Sequence, residues 1–475
     1  MPRRRLKVRA DDDSDVHAAL AGLHTELGIP VDFPPDVLTE ADAAVRSPQL
    51  PGLDRTDLDF VTIDPLGSRD LDQAFHLEKT AAGYVVHYAI ADVAAFVRPG
   101  GAIDVEAHAR GETRYAPSGN ILLHPPVIAH DAGSLLPGQV RPALVWRITL
   151  DARGESTAVD VRRALVRSRE QLDYVGAQAA LDAGTDDARL HLLREIGELR
   201  HHLEAERDGV SLPVPEQVVV ADGAGYTLEL RAPTPVERWN AQLSLLTGMA
   251  AAELMLYAGV GVLRTLPPPR DRDIARLRRS AQGLGIRWRQ RLSHDEFIRS
   301  LDPQVPAQAA LLNEASSLLR GAAYTAFDGD VPDQALHAGV GSEYAHATAP
   351  LRRLVDRYVG EVCVAVCAGA EIPAWARSAL PQLPKEMADS NHRAHAYENA
   401  IVATVEAALL QGSVGQTYRA VVVDVDDDGQ RGVVQVRDPA VLAKCTGPLP
   451  LGAEVDVRLV EADVGARTVR FAYEG

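Results

Sequence analysis

The sequence is poor in cysteine and in aromatic residues, and its start lacks an apolar segment. The three cysteines, Cys363, Cys367 and Cys445, are an odd number, and the first two lie four positions apart in an apolar stretch. This pattern excludes a disulfide-rich extracellular scaffold and favours core thiols over a metal or redox centre. Because the arginine- and aspartate-rich start does not resemble a secretion signal, we expect a cytoplasmic location.

A long uncharged apolar run is also missing. The longest apolar stretch, residues 243–263, carries Glu253 at its middle and is diluted by glycine and alanine, which favours a buried helix over a membrane span. We therefore expect no membrane association. The sequence contains no glycine-rich nucleotide loop and no serine or cysteine triad signature, so we expect no nucleotide cofactor.

Positive charge is scarce as well, since the net charge is −17. A protein coated in basic surface for nucleic acid is thereby excluded, and any such binding must use a local site. One basic segment exists, because residues 270–299 contain nine arginines and four acidic residues. The segment fits phosphate contacts, and it equally fits a solvated helical surface with internal ion pairs.

The length of 475 residues indicates two or three domains. Two short helices are predicted first, one at 16–27 with Asp15 as N-cap and one at 35–46, in a small helical module over residues 1–55 that could be helix-turn-helix-like. Apolar alternation then predicts antiparallel strands at 60–63, 74–77, 84–90, 143–150 and 158–162. Helical patterns follow at 186–206 and over most of 236–410.

Residues 412–475 read as a separate all-β unit. Short alternating runs at 418–425, 432–437, 454–460 and 467–471 predict a small closed barrel such as an OB-fold. That fold often binds single-stranded nucleic acid, but this segment has seven basic and ten acidic residues and few aromatics. A weak grip on RNA, or a purely structural cap, is therefore open.

Three carboxylates are concentrated between the first two predicted strands. Asp64, Asp70 and Asp72 fall within nine residues, and a divalent cation commonly offsets such like-charge repulsion. Phosphodiester hydrolysis by two metal ions needs oxygen ligands of this kind. Calcium binding or a surface cap would fit the same local pattern.

A second polar element lies far along the chain. Pro350 is predicted to begin a helix whose first turn carries Arg352 and Arg353. Free amides at a helix N-terminus, together with guanidinium groups, bind phosphate well. A capped helix with surface arginines is the alternative.

Taken together, these elements resemble the ribonuclease II/R catalytic (RNB) domain. The matching segments, in chain order, are Thr62-Ile-Asp64 with Ser68-Arg-Asp-Leu-Asp72, residues 87–93, Arg110-Gly111 through Tyr115-Ala-Pro117, residues 134–138, Gly209-Val-Ser-Leu212 followed by Pro215-Glu216, and residues 348–353. The resemblance covers residues 56–411. It implies a mixed α/β (α+β) RNB-type catalytic domain there, followed by the OB-type RNA-binding domain over 412–475.

The resemblance implies a processive, hydrolytic 3′-to-5′ exoribonuclease that serves RNA turnover and releases nucleoside 5′-monophosphates. Its partner would be the 3′ end of single-stranded RNA and its cofactor Mg²⁺, with Mn²⁺ as a substitute, and we expect a monomer. Carried over by position, the implied site residues are the metal-binding Asp64, Asp70, Asp72 and Gln73, the catalytic Asp70, Asp72 and Arg352, and the substrate-binding Tyr115, Arg352, Arg353 and Glu398. Tyr115 would stack on the terminal base, and Asp72 is the residue we expect to be indispensable.

Three departures from the family pattern bear on activity. Gln73 replaces a fourth aspartate, so one negative charge is lost and metal affinity should fall, although an amide oxygen can still bind a hard cation. Ala349 replaces the serine of the usual Thr-Ser-Pro. About 55 residues precede the catalytic region, too few for two cold-shock domains, so we expect a differently built RNA entrance. A catalytically impaired RNA-binding or regulatory protein, or an enzyme acting on single-stranded DNA, remain alternatives.

Overall fold

The computed structural model describes residues 13–116, 119–210, 216–222, 225–231, 233–302, 305–426, 428–436 and 439–475. Parts of the motifs named above, namely Pro117, Ser211, Leu212 and Pro215, lie outside the described residues, as does Arg437 at the end of a predicted strand.

The first five strands close into a barrel in the order β1-β2-β3-β4-β5. They are β1 Phe60–Asp64, β2 Gln73–Thr80, β3 Gly83–Ala91, β4 Val140–Asp151 and β5 Ser156–Asp173. Neighbours are antiparallel except for β1 and β5, whose parallel pairing closes the barrel. All five predicted strands are confirmed, and the closure by a parallel pair is a feature that alternation alone does not reveal.

The central strand β3 is buried along its whole length. Tyr84, Val86, Tyr88 and Ile90 pack into the largest hydrophobic cluster, whereas Ala89 and Ala91 pack into a second cluster on the other face. Period-2 alternation of side chains along a strand produces this division. The barrel therefore has protein on both sides, and its functional groups must lie at its ends.

Helices cover the barrel and link it to the rest of the chain. They are α1 Asp13–Glu26, α2 Pro35–Arg46, α3 Ala102–Arg110, α4 Tyr174–Asp182, α5 Ala188–Glu206, α6 Pro235–Ala258, α7 Asp271–Gly283, α8 His294–Arg299, α9 Pro306–Ala315, α10 Leu354–Cys367, α11 Ala374–Ala379 and α12 Leu383–Leu410. Helix α1 extends N-terminally beyond Asp15, so the predicted N-cap lies inside the helix.

The region predicted to be mainly helical also contains short hairpins. These are β6 Glu216–Asp222 with β7 Gly225–Arg231, β8 Val260–Thr265 with β9 Ala323–Asp328, and β10 Leu336–His337 with β11 Ser342–Glu343. The apolar run 243–263 is correspondingly split: α6 ends before Gly259, which is left-handed (φ +71°), and β8 follows. Within the described residues, α6 is long and apolar enough to cross a membrane by composition, but half of its apolar window is buried.

The C-terminal strands form a second closed barrel, in the order β12-β13-β14-β16-β15. They are β12 Thr417–Val425, β13 Arg431–Val436, β14 Val441–Thr446, β15 Glu454–Asp463 and β16 Thr468–Ala472. The predicted OB-like barrel is confirmed. Strand β14 escaped specific assignment because Ala443 and Cys445, which face its core, are weak strand formers.

The two N-terminal helices pack in different places. Val16, Leu20 and Leu23 of α1 share a hydrophobic cluster with α12 and the C-terminal barrel, while α2 packs with the first barrel. The described N-terminal residues therefore do not enclose a core of their own, which does not support the predicted separate helical module.

Arg110, at the end of α3, fastens the segment between these two helices. Its buried guanidinium lies 3.8 Å from the Phe33 ring centroid and donates to the carbonyl oxygens of Asp32 (2.7 Å) and Leu122 (3.0 Å), while Nε pairs with Glu106 (2.7 Å). A buried cation is tolerated because each of these contacts compensates its lost hydration.

We predict that Arg110→Ala lowers the free energy of unfolding by about 3 kcal/mol, because the buried Glu106 charge and two carbonyl groups lose their partner. Thermal unfolding followed by circular dichroism measures the effect. Arg98→Ala, at an exposed arginine shortly before α3, is the control. Equal melting temperatures for the two variants would contradict the anchoring role.

Candidate active site

The carboxylate cluster lies at one end of the first barrel. Asp64 ends β1, and the connection to β2 carries Asp70 and Asp72. Ser134 holds this connection, since its hydroxyl donates to Arg69 O (2.6 Å) and accepts from Leu71 N (2.9 Å). Ser134 belongs to a segment recognised in the sequence, but its bracing role was not predicted.

Asp72 is buried and joined to the distant 348–353 segment. Its Oδ1 accepts a hydrogen bond from Leu351 N (2.7 Å), and its Oδ2 lies 3.6 Å from Arg352 Nε. Burial raises the pKa of Asp72 well above its usual value, although Arg352 and the Leu351 amide oppose the rise. The structure therefore unites a predicted carboxylate and a predicted phosphate-binding arginine.

Asp64 is largely buried, and among the described residues its Oδ2 has no hydrogen-bond partner. Burial, with repulsion from Asp70, raises the pKa of Asp64 to about 7, while Arg352 acts in the opposite direction. An ionised carboxylate in this position needs a compensating charge. An additional cation would supply it.

Tyr115 contacts the third carboxylate. Its hydroxyl donates to Asp70 Oδ2 (2.6 Å), and 43% of the residue's surface is exposed. Burial of the hydroxyl and the negative charge of Asp70 both raise the pKa of Tyr115. The ring is accessible to a ligand, but in this arrangement one oxygen of Asp70 is occupied by the hydroxyl.

Within the described residues, no three histidine, cysteine, aspartate or glutamate side chains are close enough to hold one metal ion. Asp70 and Asp72 are engaged by Tyr115, Leu351 and Arg352, whereas Asp64 offers an unpartnered oxygen. Magnesium commonly uses one or two carboxylates and completes its shell with water and substrate phosphates. The donor set fits a cation held jointly with a phosphate substrate, rather than a complete protein cage.

Gln73 is engaged with protein groups on both sides of its amide. Its Nε2 donates to Thr348 O (2.7 Å), while its Oε1 accepts hydrogen bonds from the hydroxyls of Tyr88 and Ser244. With both lone-pair directions occupied, Oε1 is not free to bind a cation. This contradicts the prediction that Gln73 is a metal ligand, and it makes Gln73 a support for the segment that carries Arg352.

The predicted helix start at Pro350 is wrong. Helix α10 begins at Leu354, and residues 350–353 form a turn whose amides bond to protein groups, as Leu351 N does to Asp72. Arg353 is largely buried and forms two hydrogen bonds to Asp356, which contradicts its assignment to substrate binding. Ala349 is fully buried, so a hydroxyl at this position would face the interior.

Glu398 lies on the exposed surface of α12. Its carboxylate is 3.5 Å from His395 Nδ1, one turn earlier on the same helix. This contact does not join Glu398 to the aspartates, and its placement beside a terminal nucleotide stays a prediction.

Sequence comparison relates most of the chain to known proteins. Residues 53–368 match the RNB domain, and residues 416–474 match the RNase II-type exonuclease C-terminal S1 domain. Ribonuclease R of Aquifex aeolicus is 24% identical over 487 residues, covering 93% of this chain and 68% of that protein. Across the first curated relatives, the matched region spans between 31% and 68% of the relative's length.

Two solved structures have the same fold. Apo RNase R of Mycoplasma genitalium superposes with a TM-score of 0.85 at 18% identity, covering 96% of this chain and 78% of that one. Yeast Ssd1, described as a pseudonuclease, gives a TM-score of 0.67 at 18% identity, covering 92% and 53%. The second likeness shows that this fold occurs in a protein described as lacking nuclease activity.

The pKa of Asp64 predicts a pH-dependent stability. The folded protein keeps Asp64 protonated up to about pH 7, whereas the unfolded chain releases that proton near pH 4, so stability without metal falls as the pH rises between these values. Asp64→Asn should stabilise the metal-free protein by about 2–4 kcal/mol at pH 8 and clearly less at pH 5. Thermal unfolding in chelator measures this, with exposed Asp42→Asn as control. The same gain at both pH values would contradict the burial argument.

Gln73→Glu tests the supporting role of the amide. The nearly isosteric carboxylate cannot donate to Thr348 O when ionised, so we expect a loss of about 1–3 kcal/mol in unfolding free energy at pH 8. Gln411→Glu, at an exposed position after α12, controls for the added charge. Unchanged stability of Gln73→Glu alongside tighter magnesium binding would instead favour residue 73 as a metal ligand.

Proposed function

Because this chain belongs to the RNB-domain family, we propose that it is a metal-dependent exoribonuclease that degrades single-stranded RNA processively from its 3′ end. Its products would be nucleoside 5′-monophosphates, and RNA turnover in the cytoplasm would be its setting. The single observation that carries the proposal is the junction of Asp72 with Leu351 and Arg352, beside the unpartnered oxygen of Asp64.

Each side chain has a role that its surroundings support. Arg352 is partly exposed (44%) and can contact a phosphate while Asp72 orients its guanidinium. It would neutralise negative charge that develops on the phosphate during hydrolysis. Asp64 and Asp72 would hold Mg²⁺ together with the substrate, and Mg²⁺ supplies an activated water and stabilises the leaving oxygen.

The exposed ring of Tyr115 would stack on the terminal base. Its hydroxyl would then have to release Asp70, which frees a carboxylate oxygen when substrate arrives. Stacking on a base face, with grip on the phosphate backbone, gives little sequence preference.

A second candidate is an RNA-binding protein without catalysis. Two observations favour it: Gln73 is committed to protein contacts, and no three-ligand metal group is present among the described side chains. The pseudonuclease Ssd1 shares the fold. This candidate predicts RNA binding without product at any concentration of magnesium or manganese.

One assay separates the candidates. RNA and DNA oligomers of equal sequence, labelled at the 5′ end, are incubated with Mg²⁺, Mn²⁺ or chelator. We expect mononucleotide release from RNA only, no product with Asp72→Asn, and a fall in kcat on the order of 10²–10³ with Arg352→Ala. Exposed Asp59→Asn, on the same barrel, is the matched control. An inactive wild type that binds RNA would establish the second candidate, and equal cleavage of DNA would refute the RNA specificity.

A further inference from the structure

The arginine-rich segment folds into a small helical unit beside the C-terminal barrel. Helices α7, α8 and α9 enclose their own hydrophobic cluster, which includes Leu277, Phe297 and Leu312. Arg276 Nη2 lies 3.8 Å from Asp424 of β12, and Leu284 lies next to Gly452 of the barrel. A ligand that follows the barrel surface would therefore also meet this helical unit.

Five arginines of this unit are exposed and lie within 4 Å of no carboxylate among the described residues. These five, here called the arginine patch, are Arg270, Arg279, Arg287, Arg289 and Arg291. The other four arginines of the segment have partners: Arg272 pairs with Asp273, Arg276 with Glu314, Arg299 with Asp295, and Arg278 stacks on Trp288. The solvated face with internal ion pairs thus describes only part of the segment.

The arginines of the C-terminal barrel present the opposite picture. Each of the five that the structure describes lies within 4 Å of a carboxylate. The pairs are Arg419 with Glu454 and Asp456, Arg431 with Asp426, Arg458 with Glu474, Arg467 with Glu26, and Arg470 with Glu461. An arginine already neutralised by a carboxylate gains less from a phosphate, because the existing pair must be broken.

The surface of the patch is also unlike a protein-binding surface. Protein interfaces usually have an apolar, desolvated centre, but none of the large exposed hydrophobic residues of the described chain lies between 270 and 302. Trp288 is stacked against Phe297 (4.0 Å between ring centroids) and under Arg278, so it is not free to stack on a base. Unpaired charge without apolar surface suits a polyanion held by its backbone.

We propose that the arginine patch, rather than the C-terminal barrel, provides the main phosphate-binding surface for RNA upstream of the carboxylate site. This inference rests on the proposed function, because it takes RNA as the ligand. The contact is electrostatic and independent of base sequence, so it holds the strand between successive cleavages without selecting it.

The test compares the salt dependence of RNA binding. Fluorescence anisotropy with a 30-nucleotide labelled RNA, in chelator to prevent cleavage, gives Kd between 50 and 300 mM salt for the full chain. For the triple variant Arg287→Ala, Arg289→Ala and Arg291→Ala, the slope of log Kd against log salt should fall by about 2, at about 0.7 per lost phosphate contact. The matched barrel variant Arg419→Ala, Arg431→Ala and Arg458→Ala should keep the wild-type slope.

Two further outcomes decide the proposal. The triple lysine variant at the same patch positions should retain the wild-type slope, since it keeps the charge. An unchanged slope in the alanine patch variant, or a larger loss in the barrel variant, would overturn the proposal. Mononucleotide release by the wild type is measured in parallel with Mg²⁺: its absence contradicts the exoribonuclease, whereas the salt slope alone decides the patch.

Discussion

The hydrogen bond from Leu351 N to Asp72 is the contact on which the site depends. It joins the connection between β1 and β2 to a turn 279 residues further along the chain. The same turn is held at its other residues, because Gln73 binds Thr348 O, Asp356 binds Ala349 N, and Thr113 N donates to Arg352 O. A turn fixed at successive backbone groups gives Arg352 one position relative to Asp72, which is what charge stabilisation at a phosphate requires.

This arrangement is electrostatically unfavourable in the metal-free protein. Burial raises the pKa of both Asp64 and Asp72, and Asp70 adds like charge nearby. Such strongly perturbed carboxyls are typical of functional sites rather than of structural ion pairs. Arg353 provides the contrast within the same turn: it is buried beside Asp356 and serves the fold.

Charge is also distributed unequally between the units that surround the site. The barrel arginines are neutralised by neighbouring carboxylates, and one of these pairs, Arg467 with Glu26, ties the barrel to α1. The adjacent helical unit instead carries arginines without partners. An acidic protein can therefore engage RNA through a limited surface, while its remaining surface repels nonspecific polyanions.

The sequence by itself determined the strands of both barrels, the carboxylates and Arg352, because alternation and motif spacing are local properties of the chain. It could not distinguish Arg352 from Arg353, nor identify Gln73 as a support, since these roles depend on partners hundreds of residues away. It also overextended the helix into β8 and placed the α10 start at Pro350, where hairpin pairing and contacts to Asp72 override local preference. Only the tertiary structure decided which arginines are paired, because an ion pair is a matter of distance in space and not of composition.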